Sequence, residues 1–302
     1  MKKIVVIGSL NMDSVIETPH MPKGGETVSG QSVTLVPGGK GANQAYAAGI
    51  LGGNVSMIGA VGNDAFGAIL KNNLGKAGVD TSSVAEIEGD TTGQAFITVD
   101  DSGENSIIII AGTNGMVTRE LIQEHIKKIE ESDIVIMQLE IPVETVEYVK
   151  DLAVGMGKTV IIDPAPAVAD LPDSFWQGVD YIKPNETELE ILSGKPMKTL
   201  EELKEGAREF LKKGVKHVIA SLGEDGCLFV SEKEEKFFPA NKVKAVDTTA
   251  AGDSFTAAFA LALSEGKSCD EAIRFGQKVS AIVVTRKGAQ TSIPTREEVE
   301  NK

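Results

Sequence analysis

Between residues 118 and 230 the chain alternates short β-branched apolar runs with longer amphipathic ones, and this alternation restricts the fold more than any other feature. Residues 134–138, 159–163, 181–183 and 217–221 are near-continuous apolar runs, the form of strands buried on both faces. Residues 118–129, 143–153, 186–192 and 200–213 carry helical spacing, the first opened by Thr118 as a cap. Strand–helix repetition needs crossover connections, and these are right-handed. The expected fold is therefore α/β, a mostly parallel central sheet with helices on both faces. Ligands of such a sheet gather beyond the C-terminal ends of its strands.

The N-terminal part adds strands over 3–7 and 55–61. Residues 14–17 and 26–36 alternate apolar and polar side chains around a Pro/Gly/His loop. Residues 94–99 and 105–110 form a second candidate hairpin. These read as a small β-sheet lid that projects from a single domain spanning 1–302, built roughly from 14–36 and 94–110. The run Ile107–Ile110 is unusually apolar for an edge, and reads as a self-association surface or a cover over a pocket.

Net charge is −14, which disfavours nucleic acid or an anionic membrane as partner, because attraction to phosphate backbones needs the opposite sign. The two cysteines, Cys227 and Cys269, lie far apart without metal-ligand spacing, as expected of reduced thiols in a cytoplasmic protein. The apolar run after Met1-Lys2-Lys3 is too short for a signal or a membrane span.

Chemistry concentrates at a few loops. In Asp247-Thr248-Thr249-Ala250-Ala251-Gly252-Asp253-Ser254-Phe255, small residues and capping types lead into a long apolar helix. The amides of Ala250, Ala251 and Gly252 at such a helix start would form a donor pocket for an anion, with Asp253 beside it. An Asp there is either dipole compensation or a general base for phosphoryl transfer. Pro37-Gly38-Gly39-Lys40-Gly41-Ala42-Asn43-Gln44 opens a helix reaching about Leu51, and is either a plain turn or a place where backbone approaches a polar ligand. It is neither a Walker A loop nor G-x-G-x-x-G. Asn11 and Asp13 follow the first strand as ligand contacts or as a polar turn. Glu140 is a solvated carboxylate or a site residue, and Asn185 a helix cap or a ligand contact. The loop 223–226 is a hairpin turn or part of the site, and 285–292 a basic turn.

Taken together, Asn11-Met12-Asp13, Gly38 to Gln44, Met137-Gln138-Leu139-Glu140, Pro184-Asn185-Glu186-Thr187-Glu188, Asp247 to Asp253 and Thr285 to Gln290 resemble the ribokinase-like (PfkB) sugar kinases over nearly the whole chain. The resemblance implies transfer of the ATP γ-phosphate to the 5-hydroxyl of D-ribose. Asp253 would be the base, and the amides of Ala250, Ala251 and Gly252 the anion hole. Asn11, Asp13, Gly39, Lys40, Asn43 and Glu140 would join Asp253 in contacting the sugar. Asn185, Ser221, Gly223, Gly226, Gly252 and Gln277 would face ATP. Glu188 would bear indirectly on Mg²⁺, which arrives with the nucleotide. A K⁺ site is implied at Asp247, Thr249, Val283, Arg286, Gly288 and Ser292, mostly through backbone carbonyls. The lid would also make a homodimer interface. Rivals are a related kinase for deoxyribose, another sugar or a nucleoside, and a non-catalytic sugar sensor, against which the retained Asp253 argues.

Overall fold

The computed structural model describes residues 1–301. Its strands are β1 (Ile4–Ile7), β2 (Asn11–Thr18), β3 (Ser32–Gly38), β4 (Val55–Gly62), β5 (Asp80–Ile87), β6 (Gly93–Asp100), β7 (Asn105–Ile110), β8 (Ile134–Gln138), β9 (Thr159–Asp163), β10 (Tyr181–Ile182), β11 (His217–Ser221), β12 (Gly226–Ser231) and β13 (Glu235–Pro239). Its helices are α1 (Lys40–Ile50), α2 (Ala65–Lys76), α3 (Arg119–Glu124), α4 (Ile126–Glu131), α5 (Val143–Gly155), α6 (Asp173–Trp176), α7 (Glu186–Ser193), α8 (Leu200–Lys212), α9 (Ala251–Ser264), α10 (Cys269–Val283) and α11 (Arg296–Glu300).

The large sheet runs β13-β12-β11-β10-β9-β8-β1-β4-β5. It is parallel from β11 to β5, and β12 and β13 add antiparallel to the far edge. All four side chains of β1 are buried, as expected of a central strand covered on both faces. They alternate between two cores. Ile4 and Val6 pack with Phe259 and Leu261 of α9, while Val5 and Ile7 share the opposite core with Trp176 and Phe210. Trp176 meets Phe210 edge-to-face at 4.9 Å. The helix α9 is apolar on nearly every side and almost wholly buried, so its first turn is set by the core rather than by solvent.

After β1 the chain leaves the sheet, returns at β4 on one side, and later enters β8 on the other. The strand order therefore reverses at β1, and a crevice opens at the C-terminal ends of β8, β1 and β4.

The small sheet has the order β3-β2-β6-β7. The two expected strand pairs are thus one sheet, joined by parallel pairing of β2 with β6. Strand β3 is shorter than the expected 26–36, because β2 offers partners only as far as Glu17 opposite Ser32. Residues before it form a loop closed by Glu26, which accepts from the Lys23 amide at 2.9 Å. The expected helix 118–129 is two helices, broken at His125, whose amide donates to Ile122 O at 3.1 Å in a tightened last turn. Thr118 stands at the N-cap without a side-chain capping bond. Strands β5 and β13 have no counterpart in the sequence reading. Among the described residues no helix is long and apolar enough to cross a membrane.

Candidate active site

The start of α9 is unusual. Its N-cap is Ala250 at φ 59, a left-handed conformation seldom taken by a residue with a Cβ. Neither Thr248, Thr249 nor Ser254 caps the helix. Thr249 instead turns its hydroxyl to Asp247 Oδ1 at 2.6 Å. With no side-chain cap, the amides of Ala250, Gly252 and Asp253 have no acceptor among the described residues, and they open toward the crevice. The expected triad of free amides is corrected at one member. Ala251 donates to Thr248 O at 3.2 Å, closing the turn that holds Ala250 left-handed.

Asp253 is 7% exposed, and two neighbours on α1 orient it. Asn43 Nδ2 donates to its Oδ2 at 2.9 Å, and Gln44 Nε2 donates to its Oδ1 at 3.1 Å. Burial pushes the Asp253 pKa up. Lys40 pulls against this, Asp163 adds to it, and the two amide bonds lower it. Burial acts to lower the Lys40 pKa, but Asp253, Asp163, Glu140 and Glu188 outweigh it, so the ammonium stays charged. On the far side Gln290 donates to Asn43 Oδ1 at 3.1 Å, tying the 283–292 segment to the residue that holds Asp253.

Around Asp253 lies a polar cluster formed where β1 passes into β2 and β3 into α1. Asn11 and Asp13 open β2, and Gly39 precedes α1 at φ 85. A Cβ on Gly39 would stand 2.7 Å from the Asn11 amide, so only glycine lets the two segments meet. Glu140, just beyond β8, accepts from Ser9 Oγ at 2.5 Å and from the Lys40 amide at 3.0 Å. Asn11 Oδ1 accepts from Asn114 at 2.7 Å. Asp13 makes no side-chain hydrogen bond among the described residues, and its Oδ1 is fully buried without a partner. Burial, with Glu140 and Asp253 nearby, pushes its pKa up to about 7.

From Asp253 a cavity of about 530 Å³ extends over the ends of β9, β10 and β11. Asn185, Glu188, Ser221, Gly223, Gly226, Gly252 and Gln277 all line it, with Lys40, Asp163 and Lys183 at its inner end. Asn185 and Glu188 close a capping box on α7, with Glu188 Oε2 taking the Asn185 amide at 2.8 Å. Burial and Asp163 raise the Glu188 pKa, against Lys183, the Asn185 amide and Lys40. The Lys183 ammonium lies 3.5 Å from Asp163 and 3.2 Å from where a Cβ on Gly252 would sit, so a fixed cation stands beside the free amides. The Gln277 nitrogen is committed to Phe238 O at 2.9 Å, so this residue ties β13 to α10 and its amide donor does not face the cavity freely.

The residues expected around K⁺ form a separate cluster behind Ala250. Asp247 accepts from the Thr249 amide at 2.9 Å and the Gly288 amide at 2.8 Å. Val283 O takes the Arg286 amide at 3.0 Å, and buried Ser292 donates to Ala289 O at 2.7 Å. The Arg286 guanidinium turns away to Glu298 at 2.7 Å.

Reading the sequence passed over Ser9, Asp163 and Lys183, the amides Gln44, Asn114 and Gln138, and Gln290. Gln44, Gln138 and Gln290 sit within the strings singled out above, and Asp163 ends a strand correctly located. Their signal was position at a strand end or helix start, without a residue type that announces chemistry.

Residues 1–296 match the pfkB family carbohydrate kinases. A ribokinase of Haemophilus influenzae is 44% identical over 298 residues, 98% of this chain and 97% of that protein. A deoxyribokinase of Salmonella typhi is 37% identical over 295 residues, 98% of this chain and 96% of that protein. Among solved structures, Arabidopsis thaliana ribokinase complexed with ribose and ATP superposes with a TM-score of 0.93 at 35% identity, covering 99% of this chain and 98% of that one.

Proposed function

This chain belongs to the pfkB family of carbohydrate kinases, and on that premise we propose that it phosphorylates D-ribose at O5 with ATP, giving D-ribose 5-phosphate and ADP. The observation that carries the reading is the setting of Asp253. It is buried between the polar cluster and the large cavity, both its oxygens are oriented by amides, and unmet helix-start N–H groups lie beside it.

The sugar sits against the polar cluster. Its hydroxyls meet Asn11, Asp13, the Gly39 backbone, Lys40, Asn43 and Glu140. An unpartnered buried Asp13 suits such a ligand, since a bound hydroxyl supplies the missing donor. ATP lies along Asn185, Ser221, Gly223, Gly226 and Gly252, with Gln277 behind it. Asp253 takes the O5 proton as that oxygen attacks the γ-phosphorus and the bond to the bridging β–γ oxygen breaks. The amides of Ala250, Gly252 and Asp253, the α9 dipole and the Lys183 ammonium stabilise the phosphoryl oxygens.

A divalent metal accompanies ATP in this chemistry, and Mg²⁺ fits this site. Glu188 lines the cavity with one oxygen uncommitted and with negative charge in excess, which suits a hard cation held largely by phosphate and water. Bound there, Mg²⁺ would neutralise phosphate charge. Asp247, Thr249, Val283, Arg286, Gly288 and Ser292 offer hard oxygen donors, chiefly backbone carbonyls, and the Arg286 guanidinium, which would repel a cation, is drawn away to Glu298, so the set suits K⁺. An ion there would stiffen the turn at Ala250.

The small sheet serves as a lid, and its outer strand as a homodimer interface. Strand β7 is exposed along its whole length, and Ile108 and Val33 are 65% and 66% exposed. The enzyme works in the cytoplasm, where ATP is supplied and its two free cysteines stay reduced.

ATP-dependent turnover of ribose, 2-deoxyribose, fructose and adenosine, with Mg²⁺ and K⁺ present, tests the reading. Strong preference for ribose is expected. Preference for 2-deoxyribose would assign the chain to the deoxyribokinase side of its relatives. No turnover with ribose still bound would make it a sensor.

A further inference from the structure

Beneath the reacting groups lies a buried chain of side-chain amides that the proposed reaction does not use directly. Gln44 is wholly buried, and its single carboxamide nitrogen donates to two carboxylates, Asp253 Oδ1 at 3.1 Å and Asp163 Oδ2 at 2.9 Å. Its oxygen accepts from Gln138 Nε2 at 2.7 Å. The chemistry admits one orientation of Gln44. Turned over, its oxygen would face two carboxylates, each an acceptor only. Gln138 must then donate, and it does so with its own Oε1 buried and unpaired, pressed against Gly8. A Cβ at Gly8 would collide with that oxygen, so the glycine after β1 gives Gln138 its room.

We propose that Gln44, oriented by Gln138, is a positioning residue for phosphoryl transfer: it keeps Asp253 and Asp163 as two separate carboxylates, so that Asp253 alone receives the hydroxyl proton. Two carboxylates that share one site without a donor between them hold a proton jointly, and neither is then a free base at neutral pH. Gln44 prevents this by giving each carboxylate its own N–H. The remaining groups facing Asp253 are Asn43 and Lys40 on α1, Asp163 at the end of β9 and Asp13 on β2. Thr256 Oγ1 also donates to Asp163 Oδ2 at 3.3 Å, and the Lys183 ammonium stands 3.5 Å from Oδ1, which has no hydrogen-bond partner among the described residues. Lys183 and Thr256 reach only Asp163, and Asn43 reaches only Asp253. Among the described residues Gln44 is the one side chain hydrogen-bonded to both. The role rests on the ribose kinase reading above.

The test is the pH profile of kcat for Gln44→Met, which keeps the volume and removes both donors. Its acidic limb should move up by about one pH unit, and kcat on that limb should fall by up to about tenfold, with the ribose KM changed less than about threefold. Gln44→Glu, which adds a third carboxyl, should shift the limb further. Gln138→Met should move it the same way by less, and decides the matter if Gln44→Met does not fold. A merely structural role would lower thermal stability and leave the profile superimposable on the parent's after scaling, and that result would overturn the inference. Parent activity separates the two levels. An inactive parent removes the ribose kinase reading and this role with it. An active parent whose Gln44 and Gln138 variants keep the original limb removes this role only.

Discussion

Asp253 and Asp13 are both buried carboxylates in the polar cluster proposed to hold the sugar, yet they differ in partners. Asp253 is held by two amides, while Asp13 has no side-chain partner among the described residues. Asp253→Asn should keep ribose and ATP binding and lower kcat by roughly 10²–10⁴-fold, the scale of a general base. Single-turnover assays beside ribose titration check this, and near-normal turnover would remove Asp253 from the role. For Asp13 the consequence is one of stability. Its pKa rises from 3.8 to about 7 on folding. Between those values the folded protein holds a proton that the unfolded chain has released, so stability falls as pH rises from about 4 to about 7. Asp13→Asn should therefore stabilise the sugar-free protein by roughly 1–3 kcal/mol near pH 8 and weaken ribose binding at least about tenfold. The stability gain should shrink near pH 5. Urea titrations at both pH values check it, and a gain independent of pH would contradict it. At this scale the sequence singles out Asp253, Asn43 and Glu140, and the fold brings all three around Lys40 and the start of α1. Gln44 and Gln138 were not legible, because an amide's role depends on which groups fold against it.

Among the elements, helix α9 shows how a start signal can mislead. Thr248, Thr249 and Ser254 are all capping types, yet the cap is Ala250 with no side-chain bond. The threonine went to Asp247, and the missing cap is what leaves helix-start amides open. Ala250 holds a positive φ with a Cβ in place. Ala250→Gly should relieve this and raise stability by about 1 kcal/mol, whereas a β-branched residue there should lower it. Thermal melts of the Gly and Val substitutions check the order. The parallel strands were legible from apolar runs alone. Strands β5 and β13 were not, because both lie at sheet edges, where exposed positions interrupt the run. The spacing predicts one continuous helix over 118–129, while the backbone leaves helical geometry at His125, φ −112 and ψ 14.

For the whole molecule the two sheets do different work. The large one sets the crevice, and the small one carries β7 into solvent. Ile108→Lys should convert a dimer to monomer, read by sedimentation, while leaving the large sheet folded. An unchanged molecular mass would place any dimer contact elsewhere. Replacing K⁺ with a large organic cation at constant ionic strength should slow turnover severalfold or more, and an unchanged rate would remove the cation from the Asp247 cluster.

The small sheet is rooted in the groups proposed to grip the sugar. Strand β2 begins at Asn11, passes Asp13, and continues to Thr18, an extended run of about 25 Å. On that proposal the substrate sits at the pivot of a long arm. A tilt of a few degrees produces almost no motion at Asn11 and about 2 Å at Thr18. Small adjustments that fit one sugar rather than another are thereby amplified with distance. Two such arms pressed together at their far ends would each feel what the other holds.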